Sequence, residues 1–244
     1  MSDVNIMNVV SVKKLVTPCL FLIFFLIGCA HQKPRIEPYN EPHNKSHNEQ
    51  CEFHCEGEVF HLPHQKISGK QEKYLAHSGA QKFDNYVSLN LNYQPFQILF
   101  TELNQKFGGL KNRGEAHVTV ITPVEYNEIL KANISIEELH ALAAKMNLQK
   151  SEVKAICLGK GEKAELGATY YVVVESKDLL QFREKVLAAY LLKGGSPRHF
   201  APEHFYPHIT IGFNLRDLHE SDGVKKDRNS CLFSPLGDLV FNEK

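Results

Sequence analysis

From residue 86 onward, apolar and polar positions fall into two rhythms, and the order of those rhythms repeats. "YVSLNL" (86–91) alternates as a half-buried strand does. Pro95 then opens a stretch in which Phe96, Leu99, Phe100, Leu103 and Phe107 recur at helical spacing until Gly108 and Gly109 stop it. "HVTVI" (117–121) returns to alternation, completing a strand–helix–strand unit. The second unit begins with the apolar strand "TYYVVVE" (169–175). Asp178 follows as the expected helix cap, Leu179, Phe182, Val186, Leu187 and Tyr190 form one stripe, and the unit ends in "HITIGF" (208–213). Between the units, "SIEELHALAAKM" (135–146) predicts a helix with a Ser135–Glu138 capping box. "EVKAICL" (152–158) predicts a strand that pairs with 169–175 across the connection "GKGEKAELG". The expectation is a compact, two-lobed α+β domain built by duplication.

The two units share little beyond His-x-Thr. Side chains alternate across a strand, so His117 and Thr119 share one face while Val118 and Val120 take the other; His208 and Thr210 stand likewise against Ile209 and Ile211. Each motif buries two branched residues and presents an imidazole beside a hydroxyl. If the lobes pack with these faces inward, four polar groups line one cleft. Imidazole, with an unperturbed pKa of ~6.5, takes and gives protons near neutral pH. A pair on opposite sides of phosphorus can open a cyclic phosphodiester, with the threonine hydroxyls donating to its nonbridging oxygens. One HxT tripeptide alone reads as an ordinary half-buried strand, whereas two at the same place in a repeated unit point to a site. A metal centre is disfavoured, because neither motif carries the neighbouring carboxylate or second histidine that three or more protein ligands require.

Charge narrows the substrate. The chain has 244 residues, 43% of them hydrophobic, and Lys plus Arg equals Asp plus Glu at 28 each. A pI near 7.2 gives no footprint for duplex nucleic acid, and basic and acidic side chains between 183 and 228 are nearly balanced. A small phosphorylated ligand fits better. In the loop before the second motif, Arg198 is a candidate phosphate contact and Tyr206 a candidate platform for a base. The plainer readings are a solvated loop charge and a core aromatic; His199 and His204 read as surface residues, and Lys225, Lys226 and Asp227 receive no role.

The first thirty residues change the expected location. Lys13 and Lys14 precede an uncharged, mostly apolar run from Leu15 to Ile27, followed by Gly28 and Cys29. The run is about 20 Å long as a helix, short of the ~20 residues that cross a bilayer, and reads as a signal peptide. "LIGC" (26–29) resembles the lipobox of bacterial lipoproteins, which implies cleavage over 1–28, acyl chains such as palmitate on Cys29, and a place in the cell envelope. Ala30 points that resemblance to the outer membrane. A conventional signal with an incidental cysteine is the alternative. Residues 29–50 read as a flexible tether and 51–84 as a preface before the main domain, 85–244. Outside the cytoplasm thiols oxidise, and Cys51, Cys55, Cys157 and Cys231 allow three pairings, of which Cys51–Cys55 with Cys157–Cys231 is preferred; all four reduced also remains open. Cys51, His54, Cys55, His61 and His64 invite a zinc reading, weakened by a spacing unlike the tight pairs of common zinc modules.

The paired "HVTV" and "HITI", with the longer strings "EAHVTVITPVEY" and "FYPHITIGFNLRDLHESDGVKKDRNSC", resemble the two-histidine (2H) phosphoesterase superfamily, in particular its Swiss Army Knife RNA repair-like subgroup, over roughly 85–233. The resemblance implies a pseudo-twofold pair of antiparallel sheets flanking a cleft with helices outside. It also implies activity on 2′,3′-cyclic phosphates or related 2′-5′ linkages without cofactor or metal. His117 and His208 then take the catalytic roles and Thr119 and Thr210 the phosphate contacts. The expectation is a monomeric, lipid-anchored cyclic phosphodiesterase acting on a nucleotide or short RNA end. Its rival is an envelope lipoprotein that holds a nucleotide or other phosphorylated ligand in the same cleft without turnover.

Overall fold

The computed structural model describes Phe60, Leu62 and residues 67–233. The expected signal segment, Cys29, the expected tether, and Cys51, His54, Cys55, His61 and His64 lie outside the described residues.

The first lobe is the expected strand–helix–strand. Strand β2 (Val87–Leu91) pairs antiparallel with β3 (Ala116–Ile121), setting Leu89 opposite Val118 and Asn90 opposite His117. Helix α1 (Gln94–Phe107) connects them, with Pro95 in its first turn and Phe96, Leu99 and Leu103 buried. It ends where Gly108 and Gly109 adopt positive φ and the Gly108 N–H donates to the Asn104 carbonyl. Helix α3 (Ile136–Lys145) starts at the expected capping box: the Ser135 hydroxyl accepts from the Glu138 N–H, and the Glu138 carboxylate accepts from the Ser135 N–H. The short helix α2 (Pro123–Glu128), capped in the same way by Thr122 and Glu125, is too brief to show a period in the sequence.

The second lobe is an antiparallel sheet ordered β1 (Ile67–Ser68), β4 (Glu152–Lys163), β5 (Gly167–Glu175), β6 (His208–Phe213), with β7 (Cys231–Phe233) pairing a different stretch of β4 from β1. Two expectations are corrected here. Strand pairing continues through most of the stretch expected to be a connection, as far as Lys163 opposite Gly167. Gly159 serves close packing rather than a turn: a Cβ there would stand 2.6 Å from the Tyr171 ring. Helix α4 (Lys177–Leu192) is capped by Ser176, whose hydroxyl accepts from the Leu179 N–H; the Asp178 carboxylate instead accepts from the Glu152 N–H (3.2 Å), joining the helix to β4. Cys157 and Cys231 form a disulfide, the pairing preferred for these two residues, which fastens the segment after β6 to the sheet.

β3 and β6 are the inner strands of the two lobes and pack against each other. At one end Lys111 and Phe213 exchange two backbone hydrogen bonds (2.8 and 2.9 Å) in an antiparallel bridge. Gly212 permits that approach, since a Cβ there would meet the Phe100 ring at 3.1 Å and the Lys111 carbonyl at 3.3 Å. At the other end stands Arg183 of α4, only 1% exposed. Its guanidinium donates to the Val120 carbonyl at the end of β3 (2.8 Å) and to both carboxylate oxygens of Glu125 (2.7 and 3.2 Å). It also donates to the carbonyls of Ala201, Pro202 and His204 in the loop leading to β6, while the Phe200 and Phe205 rings lie 4.9 and 4.8 Å away.

Removing one partner of such a buried network leaves the others unsatisfied. Arg183→Met should therefore lower the unfolding free energy by about 3–5 kcal/mol in urea denaturation; a loss under about 1 kcal/mol would contradict the clamp. Gly212→Val should cost about 1–3 kcal/mol by overpacking, read as a lower denaturation midpoint with an unchanged slope. A neutral outcome would mean that the strands do not approach at that point.

Candidate active site

The Lys111–Phe213 bridge fixes how the two HxT motifs stand relative to each other. From the bridge the motifs run in opposite directions along neighbouring strands, His117 six residues beyond Lys111 and His208 five before Phe213 (117 − 111 and 213 − 208). Burial follows the predicted alternation. Ala116, Val118 and Val120 of β3 and Ile209 and Ile211 of β6 are buried, whereas His117, Thr119, His208 and Thr210 are half-buried on the opposite faces.

The two imidazoles have different surroundings. His208 Nδ1 lies 2.7 Å from the Tyr206 carbonyl, which can only accept, so Nδ1 carries the proton and Nε2 keeps its lone pair. Its ring meets the Tyr171 ring edge-on at 5.8 Å. Burial and then the positive charge of Lys226 push the His208 pKa well below the usual imidazole value, against the opposing pull of the Tyr206 carbonyl and Asp217. His117 instead has a carboxylate beside it, Glu115 Oε1 at 3.4 Å from Nδ1, and this contact holds the Glu115 pKa below its ordinary value. Tyr86 tilts toward the His117 ring at 6.2 Å, and His77 stacks on Tyr86 at 4.0 Å. Burial lowers the His77 pKa, followed by the nearby His117. Residues 67–84 thus supply a side chain to the surroundings of the first motif.

The threonines differ as well. Thr119 stands on the open face of β3, opposite Ser88. The Thr210 hydroxyl donates to Asp217 Oδ2 (3.2 Å). That carboxylate also accepts from Arg113 (2.9 Å), just before β3, and from Lys226 (2.8 Å). Burial works against the charge on Asp217, but Lys226 and Arg113 outweigh it and hold the pKa below the usual carboxylate value. Lys226, 3% exposed, lies 5.2 Å over the Tyr171 ring.

Of the remaining sequence candidates, Tyr206 contributes its backbone carbonyl to His208, while its ring is engaged by Lys225 (5.6 Å) and edge-on by His204 (5.4 Å). Arg198 is exposed on the loop after α4, where its N–H donates to the Ser196 hydroxyl. An open depression of about 520 Å³ is lined by Glu220, Gly223, Lys225, Asp227, Asn229 and Ser230 and by neither HxT histidine, so concavity alone would have directed attention away from the paired motifs. Among the described residues, no group of three or more His, Cys, Asp or Glu side chains is placed to hold a metal ion.

Sequence reasoning missed Glu115, His77, Asp217 and Lys226. Glu115 was within reach, since it lies two residues before His117 and alternation puts both on one face. His77 and Lys226 come from irregular segments with no period to read.

A family model described as the Swiss Army Knife, 2H phosphoesterase domain matches residues 85–219. The match covers more than half of the chain and includes both HxT strands, Glu115, Arg183 and Asp217. No curated protein matches the chain. Two half-exposed His-x-Thr faces on adjoining inner strands of a duplicated α+β fold agree with that match, and the chain belongs to the 2H phosphoesterases of the Swiss Army Knife type.

Proposed function

We propose that the protein is a metal-independent phosphoesterase that opens a cyclic phosphodiester, either a 2′,3′-cyclic nucleotide or the 2′,3′-cyclic end of a short RNA, by acid–base catalysis between His208 and His117. The family's chemistry is phosphodiester hydrolysis; the observation that carries the finer reading is the unlike surroundings of the two imidazoles. His208, neutral with a free Nε2 lone pair, accepts a proton from the attacking water as its oxygen bonds to phosphorus. His117, oriented by Glu115, gives a proton from Nε2 to the ribose oxygen as the phosphorus–oxygen bond breaks. One water is added and one ester bond is lost. Proton exchange with solvent resets the pair, and the reverse assignment serves the reverse reaction.

Thr119 donates to a nonbridging oxygen. Thr210 does the same once its hydroxyl turns from Asp217, which keeps two cationic partners when it does so. Tyr206 and Arg198 remain proposed ligand contacts at the rim, the first through a ring already shared with Lys225. Turnover of 2′,3′-cyclic nucleotides in chelator should fall by at least about 10²-fold in His117→Ala and in His208→Ala, with folding unchanged by circular dichroism. The acid limb of the wild-type pH profile should lie below the ordinary imidazole pKa, because the base stays neutral at lower pH when its pKa is lowered. Equal rates in wild type and variants would overturn the mechanism. Tight nucleotide binding with no turnover would favour the binding lipoprotein.

We further place the protein at the cell envelope, probed through Cys29. The apolar run before "LIGC" and the Cys157–Cys231 disulfide, a bond suited to an oxidising compartment, support this location. Labelled palmitate should enter the wild type and not Cys29→Ala, which should appear in the soluble fraction. Unchanged labelling and membrane association would contradict the anchor.

A further inference from the structure

The family match stops at residue 219, and the segment beyond it brings a cation back beneath the second motif. Lys226 is 3% exposed and donates to Asp217 Oδ1, while the other oxygen of that carboxylate takes the Thr210 hydroxyl and Arg113. The lysine also lies over Tyr171, the ring that meets His208 edge-on. We infer that Lys226 is a positioning residue of the reaction: its buried ammonium locks Asp217, and through it the Thr210 hydroxyl, on the strand that carries His208. The inference rests on the reading of His208 as proton acceptor and deepens it.

Three observations favour this role over a purely structural one. Against apolar packing, a buried ion pair adds little net stability, so stability alone does not account for a lysine here. The cation is held from both sides in sequence: Val224 packs where Gly161 has no side chain, and the Cys157–Cys231 disulfide follows five residues after Lys226 (231 − 226). Third, the charge acts on the proposed base, because after burial Lys226 is the strongest influence keeping His208 unprotonated. The groups facing His208 are Tyr171 from β5, with Asp217, His219 and Lys226 from the segment after β6. Of the three in that segment, Asp217 favours the charged imidazole and the other two oppose it.

The test is Lys226→Met, read in two ways. The first is the NMR titration of His208 without substrate, and the second is the pH profile of kcat/KM on a 2′,3′-cyclic nucleotide. Losing the cation while Asp217 remains should raise the His208 pKa by about one unit or more. The acid limb should move up with it, so that kcat/KM falls about tenfold at pH values below the wild-type acid limb and changes little at pH 8, with KM little changed. An unmoved His208 titration in a folded variant, or an equal loss at every pH, would overturn the inference. Should the single variant fail to fold, Asp217→Asn with Lys226→Met removes both buried charges and leaves only the 40% exposed Arg113 without its carboxylate. That protein should lose at least about tenfold in kcat with KM unchanged, because Thr210 is no longer set, and wild-type kcat in it would overturn the inference. The titration needs no turnover, so failure of the enzymatic reading and failure of the lysine's role give different results.

Discussion

The guanidinium of Arg183 donates on one side to the carbonyl that ends the first HxT strand, and on the other to three carbonyls of the loop that enters the second. Moving either strand away from the other breaks hydrogen bonds of a group that is 1% exposed and has the Phe200 and Phe205 rings against it. Glu125 neutralises the charge and is itself tied into the cap of α2, so the clamp reaches the backbone of the first lobe twice. The opposite end is fixed by the Lys111–Phe213 bridge and, beside it, by Arg113 on Asp217. Two inner strands held at both ends leave the face between them as the place where polar groups from distant parts of the chain stand together.

A duplicated scaffold would by itself give two equivalent histidines, and acid–base chemistry needs two unlike ones. The difference comes from what each lobe adds outside the repeat. Beside β6, burial and a buried lysine favour a neutral ring, and the Tyr206 carbonyl fixes its tautomer. Beside β3, a carboxylate and a stacked His77–Tyr86 pair surround the other imidazole. The same contrast separates the threonines, one on an open strand face and one bound to Asp217. Symmetry places the groups, and the irregular segments give them different surroundings.

The parts of this arrangement with a local signature were legible in the sequence. Alternation around His117 and His208 set the exposed face, Gly108 and Gly109 stopped α1, and the Ser135–Glu138 box started α3. Where the reading failed, a residue's usual local meaning was overridden by tertiary packing. Gly159 looked like part of a turn and serves the close approach of Tyr171; Asp178 looked like a cap and bonds to β4 instead. Arg183, Asp217 and Lys226 entered only as members of a balanced set of charges, because burial of an ion pair depends on partners up to about a hundred residues away, such as Arg113 for Asp217, and leaves no period behind.

The account stands on both imidazoles reaching one phosphorus. A crystal structure of the protein with a nucleoside and orthovanadate, which mimics five-coordinate phosphorus, measures this directly. The vanadium oxygens should lie about 2.7–3.2 Å from Nε2 of His208 and of His117 on opposite sides of the metal centre. An adduct held by only one of these rings, or bound away from both inner strands, would contradict it.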